Sequence, residues 1–180
     1  EMKADDPKPL QYISEAYKEL GDEDKALEYN QQYMDKNPNA APTDFMKLAE
    51  IYVNKAKKDP AKKIENIDKA IGVYAKLSEK YPTLKTFAKL QEGNTAFQNE
   101  LDDKAIAAYT EVINELEAKQ CDEDELSYLK TSYQYMGFIY TYDKQDFNTA
   151  KPYWDKLLKL DPQNKLANDA YEKAGLKPGE

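Results

Sequence analysis

The side chains that most often carry enzyme chemistry are scarce in this sequence. Its 180 residues include no His and one Cys, Cys121. Without His, the commonest general base and the commonest metal ligand are both missing. A lone thiol forms no intrachain disulfide and no cysteine cluster, which leaves out zinc and iron–sulfur sites. Cys121 as a nucleophile would also lack its usual base, so it reads as a passenger thiol at a helix end. All 26 basic residues are Lys, and Arg is absent. The forked side chain that grips carboxylate or phosphate bidentately is therefore unavailable. With 34 acids and a net charge of -8, the mean field repels nucleic acid. Two acidic groups invite a metal reading, Asp122–Glu125 and the pair Asp143 and Asp146. A calcium loop needs a longer ladder of ligands and a central Gly, whereas acids at helix N-termini are favoured by the macrodipole. These residues are expected to be helix-start acids. No nucleophile–base pair or Gly-rich phosphate loop is present, so neither a catalytic site nor a cofactor is expected. Lys55, Lys57, Lys58, Lys62 and Lys63 form one basic patch, read as a solvated face, with an acidic partner or a lipid headgroup as the sharper option.

The elements that would position any site are helices. Ala, Leu, Lys, Glu and Gln are abundant and β-branched runs are missing. Breakers recur in order at Gly21, Pro38, Pro42, Pro60, Pro82 and Pro162. Helices are predicted at 9–20, 23–36, 43–57, 60–80, 84–99, 103–120, 123–142, 147–160 and 164–174, with no strand. Asp22, Asp102 and Asp146 are placed to cap helix N–H groups, and Asp59-Pro60 to open a helix with a first-turn proline. No stretch approaches the roughly 18 apolar residues of a membrane span. The chain starts at Glu1 with no charged-then-apolar leader ahead of the fold, as expected of a processed or excised chain whose signal is out of view.

Four segments repeat: residues 25–38, 69–82, 104–117 and 149–162. Each carries Ala at its second place (Ala26, Ala70, Ala105, Ala150), followed four residues on by Asn30, Tyr74, Tyr109 or Trp154. Three close on Pro38, Pro82 and Pro162; the third has Glu117 there. A partner helix precedes each, with Leu48-Ala49 and Tyr52, Gly93, and Met136-Gly137 and Tyr140 as small-plus-bulky signatures. Small residues let helices approach closely while Tyr, Trp and Leu fill the gaps.

These motifs resemble the tetratricopeptide repeat family over roughly residues 7–162. The Ala-to-Ala spacings of 44, 35 and 45 depart from the family period of about 34 residues, because repeats two and four carry extra helix-friendly residues. The resemblance implies an all-α, right-handed α-solenoid of antiparallel helix pairs, a single array over 1–180. Repeats are expected at 7–40, 41–84 (with an insertion at 53–63), 85–120 and 121–162, then a capping helix and tail at 163–180.

In this family the first helix of each repeat lines a concave groove that receives peptides. Carried over, the groove-facing residues are Glu15, Lys18, Met46, Glu50, Asn54, Asn94, Phe97, Gln134, Phe138 and Tyr142. The family's carboxylate clamp is not matched, since its places hold Gln11, Glu15, Met46 and Glu50. Repeat three stays open: Phe87, Leu90 and Phe97 share a stripe, either facing the groove or buried by a small helix rotation. The expectation is a non-enzymatic scaffold binding a protein or peptide in that groove, without nucleic acid, metal, cofactor or membrane span. The alternative is a structural or assembly spacer of a larger bacterial protein with an empty groove. Compartment, periplasmic or cytoplasmic, is left open.

Overall fold

Strong helix formers separated by prolines and capping acids fold here into successive helix pairs. The computed structural model describes residues 6–179, so the expectation about Glu1 and the outermost ends of the 1–180 array fall outside the described residues. The helices are α1 (Lys8–Glu19), α2 (Glu23–Lys36), α3 (Pro42–Lys58), α4 (Lys63–Lys80), α5 (Lys85–Gln98), α6 (Asp102–Glu117), α7 (Glu123–Phe138), α8 (Phe147–Leu160) and α9 (Lys165–Lys173). No strand occurs among the described residues. The fold is all-α, of the α-solenoid class, built from antiparallel helix pairs.

Side chains start the helices as their N–H groups require. Asp22 accepts from Lys25 N at 3.1 Å, Asp146 from Thr149 N at 3.1 Å and Asn164 from Ala167 N at 3.1 Å. Asp122 and Glu125 form a reciprocal capping box on α7, at 2.9 and 3.2 Å, so the acidic run is helix-start chemistry. Asp102 differs from expectation: Leu101 is the N-cap, and Asp102 lies inside the first turn of α6. Asp59 makes no side-chain cap either; Pro60–Lys62 form a 3₁₀ turn and α4 starts at Lys63. Helix α6 ends at Glu117 instead of 120, because the chain must extend at Asp122 (φ -77, ψ -175) to cap α7. The stretch expected as helix through 142 is α-helical to Phe138 and then makes a π turn, Ile139–Asp143.

The chain divides into two compact units, the first running to Ala88 and the second starting at Lys89, inside α5. In the first unit α1 packs on α2, α2 on α3 and α3 on α4. Gly21, at φ 74, makes the α1–α2 turn in the left-handed region that glycine tolerates. Ser14, 1% exposed, donates to Ala26 O at 2.7 Å and fastens α1 to α2. Phe45, Leu48 and Ala49 of α3 meet Ala70, Val73, Tyr74 and Leu77 of α4, with Leu27 and Met34 of α2 against them. Buried Asp44 accepts from Ala41 N (2.8 Å), Tyr33 Oη (2.9 Å) and Gln11 Nε2 (3.1 Å), joining three helices at one carboxylate. The extra residues of repeat two lengthen α3 and α4 to 17 and 18 residues around the 3₁₀ turn.

The second unit depends on two close approaches. A Cβ on Gly93 would lie 2.7 Å from the Tyr109 ring, and one on Gly137 would lie 2.5 Å from the Trp154 indole. Both rings are fully buried, so each packs close to a helix backbone where a side chain is missing. Within the π turn, Thr141 Oγ1 accepts the Trp154 indole N–H at 2.9 Å. Met136, Leu116, Leu157 and Tyr171 complete a core in which α7 contacts α6, α8 and α9. Tyr133 donates to Glu117 at 2.6 Å, and Tyr171 donates to Asp155.

Candidate functional site

In the first unit, α1 and α3 carry five of the ten groove candidates, and Glu15, Lys18 and Glu50 among them are held in ion pairs. Lys18 pairs Glu50 at 3.0 Å, and Lys47 pairs Glu15. Glu15 and Glu50 therefore already hold lysines, which blunts them as acceptors for a ligand cation. Met46 is 37% exposed beside them, and Asn54 is half-buried. Lys47, at the same 32-residue separation from Glu15 as Glu50 is from Lys18, was not among the sequence candidates. That equal offset was the signal that could have found it.

In the second unit the candidates on α5, α7 and the π turn come together as rings. Phe97 lies 5.5 Å from Phe138, edge to face, and Phe138 lies 4.8 Å from Tyr142. Tyr135 extends the set: its ring is 4.5 Å from Phe97 and 5.6 Å from Tyr109. A run of aromatics thus reaches from buried Tyr109 through Tyr135, Phe97 and Phe138 to Tyr142. These last four rings are half-buried, a geometry suited to offset and edge-on aromatic contacts. Sequence reasoning missed Tyr135, although Tyr135, Phe138 and Tyr142 follow the three- and four-residue steps of one helix face. Asn94 points at the core, accepting from Tyr109 Oη at 2.9 Å. Gln134 accepts from Asn164 Nδ2 at 3.3 Å.

The open reading of repeat three divides by residue. Leu90 is buried, whereas Phe87 and Phe97 are partly exposed. Glu92, 9% exposed, pairs Lys89 at 2.8 Å, and burial pushes its carboxyl above the usual carboxylate range. The basic patch is partly neutralised at home: Lys55 pairs Asp24, while Lys58 pairs Glu23 at 3.0 Å and donates to Gly21 O at 2.7 Å.

Cys121 is half-buried, with Sγ 3.3 Å from Leu116 O. Burial and then Glu125 push its thiol up, away from the reactive thiolate. No group of three His, Cys, Asp or Glu residues able to hold a metal occurs among the described residues. No helix among them is long and apolar enough to cross a membrane.

Residues 10–40 match the tetratricopeptide repeat family model. No curated protein matches the chain by sequence. Among solved structures, the human IFIT1 dimer with PPP-AAAA aligns with a TM-score of 0.60 at 17% identity, over 91% of this chain and 36% of that one. A monomeric IFIT1 mutant with Gppp-AAAA gives 0.59 at 16% identity, over the same 91% and 36%. The C-terminal part of a TPR repeat-containing protein from Cytophaga hutchinsonii aligns over 93% of this chain and 88% of its own at 17% identity, with a TM-score of 0.29. The chain thus spans 36% of the length of the IFIT1 chains it matches. A human protein among the neighbours means the fold is not tied to a bacterial source. Residues 10–40 thus resemble a tetratricopeptide repeat, and the described residues form an all-α fold of successive helix pairs.

Proposed function

We propose that this protein is a non-enzymatic interaction scaffold and that its second unit binds a peptide or helix through the aromatic run on α5, α7 and the π turn. Protein interaction is the general role of the fold; the ring surface is the observation that supports the finer reading. Phe97, Phe138 and Tyr142 lie within 5.5 Å of their ring neighbours and keep part of each face accessible. Half-buried aromatics gain by covering their remaining apolar area and lose little side-chain entropy in doing so. The structural spacer with an empty groove leaves the partly open rings without a role.

The test is selection of displayed random peptides on the full chain, followed by affinity measurements on variants. Selected peptides should carry an aromatic or large apolar anchor. Phe138→Ala should weaken them about tenfold or more, as loss of a central aromatic contact does. Lys76→Ala, at an exposed place on α4, should leave affinity unchanged. Equal binding by both variants, with helical content intact, would sink the reading. PPP-AAAA provides the nucleic-acid arm. With a net charge of -8 and no Arg, it should not bind, and specific binding would overturn the choice of a protein partner.

A further inference from the structure

The aromatic run ends at a cavity in the second unit. It measures about 420 Å³ and is walled by the π turn, the start of α8 and the last turn of α9. That volume lies at the small end of ligand pockets, roughly 300–1,000 Å³. Its floor is apolar, from Tyr142, Phe147 and Ala170, with Ala174 at the edge. Its polar groups are all able to donate. Lys173 holds its ammonium 4.4 Å from the Tyr142 ring centre and makes no ion pair among the described residues. Thr141 Oγ1 accepts from the buried Trp154, which leaves the hydroxyl proton to give. Gln145 brings an amide to the wall from a backbone at φ 55, a conformation seldom used by a residue with a side chain.

Among the described residues, no acidic one lines this cavity. That is unusual for a chain with 34 acids. The clefts beside Asp102 and Asp103 and beside Asp22 and Asp24 mix carboxylates with their lysines. The π turn, a feature that recurs at functional sites, places Thr141 and Tyr142 on the same wall. A lysine left without a carboxylate, over an aromatic face and beside an apolar floor, suits a ligand carrying both an anion and a ring.

We infer that this cavity is a subsite for a peptide residue that presents an aromatic side chain beside a carboxylate. The ring enters against Tyr142 and Phe147, and the carboxylate meets Lys173. The carboxylate comes either from a chain terminus or from a neighbouring acidic side chain. The inference deepens the peptide-binding reading, on which it rests, by naming the chemistry recognised at one end of the ring surface.

Three probes separate the sources: N-acetylphenylalanine, an N-acetyl phenylalanyl-aspartyl amide, and N-acetylphenylalanine amide as the neutral control. Binding is followed by shifts of the Tyr142, Gln145, Ala170 and Lys173 amide signals in nuclear magnetic resonance spectra of the full chain. At least one carboxylate probe should bind about fivefold or more tightly than the neutral amide at low salt, and the advantage should shrink as salt rises. Lys173→Gln should erase the advantage. Tyr142→Leu should weaken all three. Equal binding of charged and neutral probes, an advantage that survives in Lys173→Gln, or no shift at these amides would each overturn the subsite. If Phe138→Ala fails to weaken the selected peptides but the probes still discriminate through Lys173, the ring-surface reading falls and the subsite stands. If Phe138→Ala weakens them and the probes do not discriminate, the reverse holds.

Discussion

Adding a single methyl group to Gly137 should separate packing from helix propensity. A Cβ there would lie 2.5, 2.6 and 2.8 Å from three carbons of Trp154. Carbons in good contact sit at about 3.5–4.0 Å, so the overlap is about 1 Å. The ring has little freedom to yield. Trp154 is fully buried and its N–H is held by Thr141 at 2.9 Å. Overpacking of this kind costs about 1–3 kcal/mol. If the indole swings away, the lost hydrogen bond adds about 1 kcal/mol. Ala is the better helix former, which offsets about 1 kcal/mol. Gly137→Ala should therefore destabilise by about 1–3 kcal/mol. The matched control is Gly72→Ala on α4, where a Cβ meets nothing within 4 Å. It should stabilise by about 0.5–1 kcal/mol through propensity alone. Urea unfolding followed by circular dichroism reads both, and a loss of about 2 kcal/mol moves the midpoint by about 1 M. Ala105→Leu, at another fully buried small residue, should fall with Gly137→Ala. A Gly137→Ala midpoint at or above that of the parent would refute the close approach of α7 to α8.

Two further perturbations test the carboxylates that fasten the helices. Asp44→Ala removes the acceptor shared by Ala41 N, Tyr33 Oη and Gln11 Nε2. It should cost about 2–4 kcal/mol by equilibrium unfolding, since it loses charged hydrogen bonds and a helix-start cap together; a loss within the scatter of the parent would refute the network. Burial works against ionisation of Glu117, but Lys156 at 2.6 Å and the Tyr133 hydroxyl at 2.6 Å prevail and hold its carboxyl below the usual glutamate range. A depressed folded pKa adds stability above the unfolded value of about 4.3 that disappears as pH falls through the folded value. Glu117→Gln should therefore be less stable than the parent near pH 7, with the gap closing between about pH 5 and about pH 3. A gap independent of pH would show that the ionised carboxylate is not what Tyr133 and Lys156 stabilise.

Sequence by itself determined the local layer of this protein. Helix formers, prolines and capping acids act within a few residues of themselves, so α2 is found at the residues predicted, Glu23–Lys36, and α8 at Phe147–Leu160. The repeated Ala and Gly places were legible for the same reason, because a close helix crossing excludes a side chain wherever the chain folds back. The absence of His and Arg is equally plain in the sequence.

Tertiary structure decided which groups meet. Glu15 and Glu50 read as groove-facing residues, yet lysines from the neighbouring first helix hold both, at separations no helical period reports. Asn94 looked like a groove amide and turns to Tyr109 because a buried hydroxyl needs a partner. The π turn at Ile139–Asp143 leaves no mark in composition; it appears where Thr141 reaches Trp154 across the α7–α8 packing. Lys173 became a candidate only when α9 packed and left its ammonium over Tyr142 without a carboxylate. Such pairings depend on side chains from different helices, 13 to 32 residues apart, arriving together, and that is settled by how the helices pack, which local pattern does not encode.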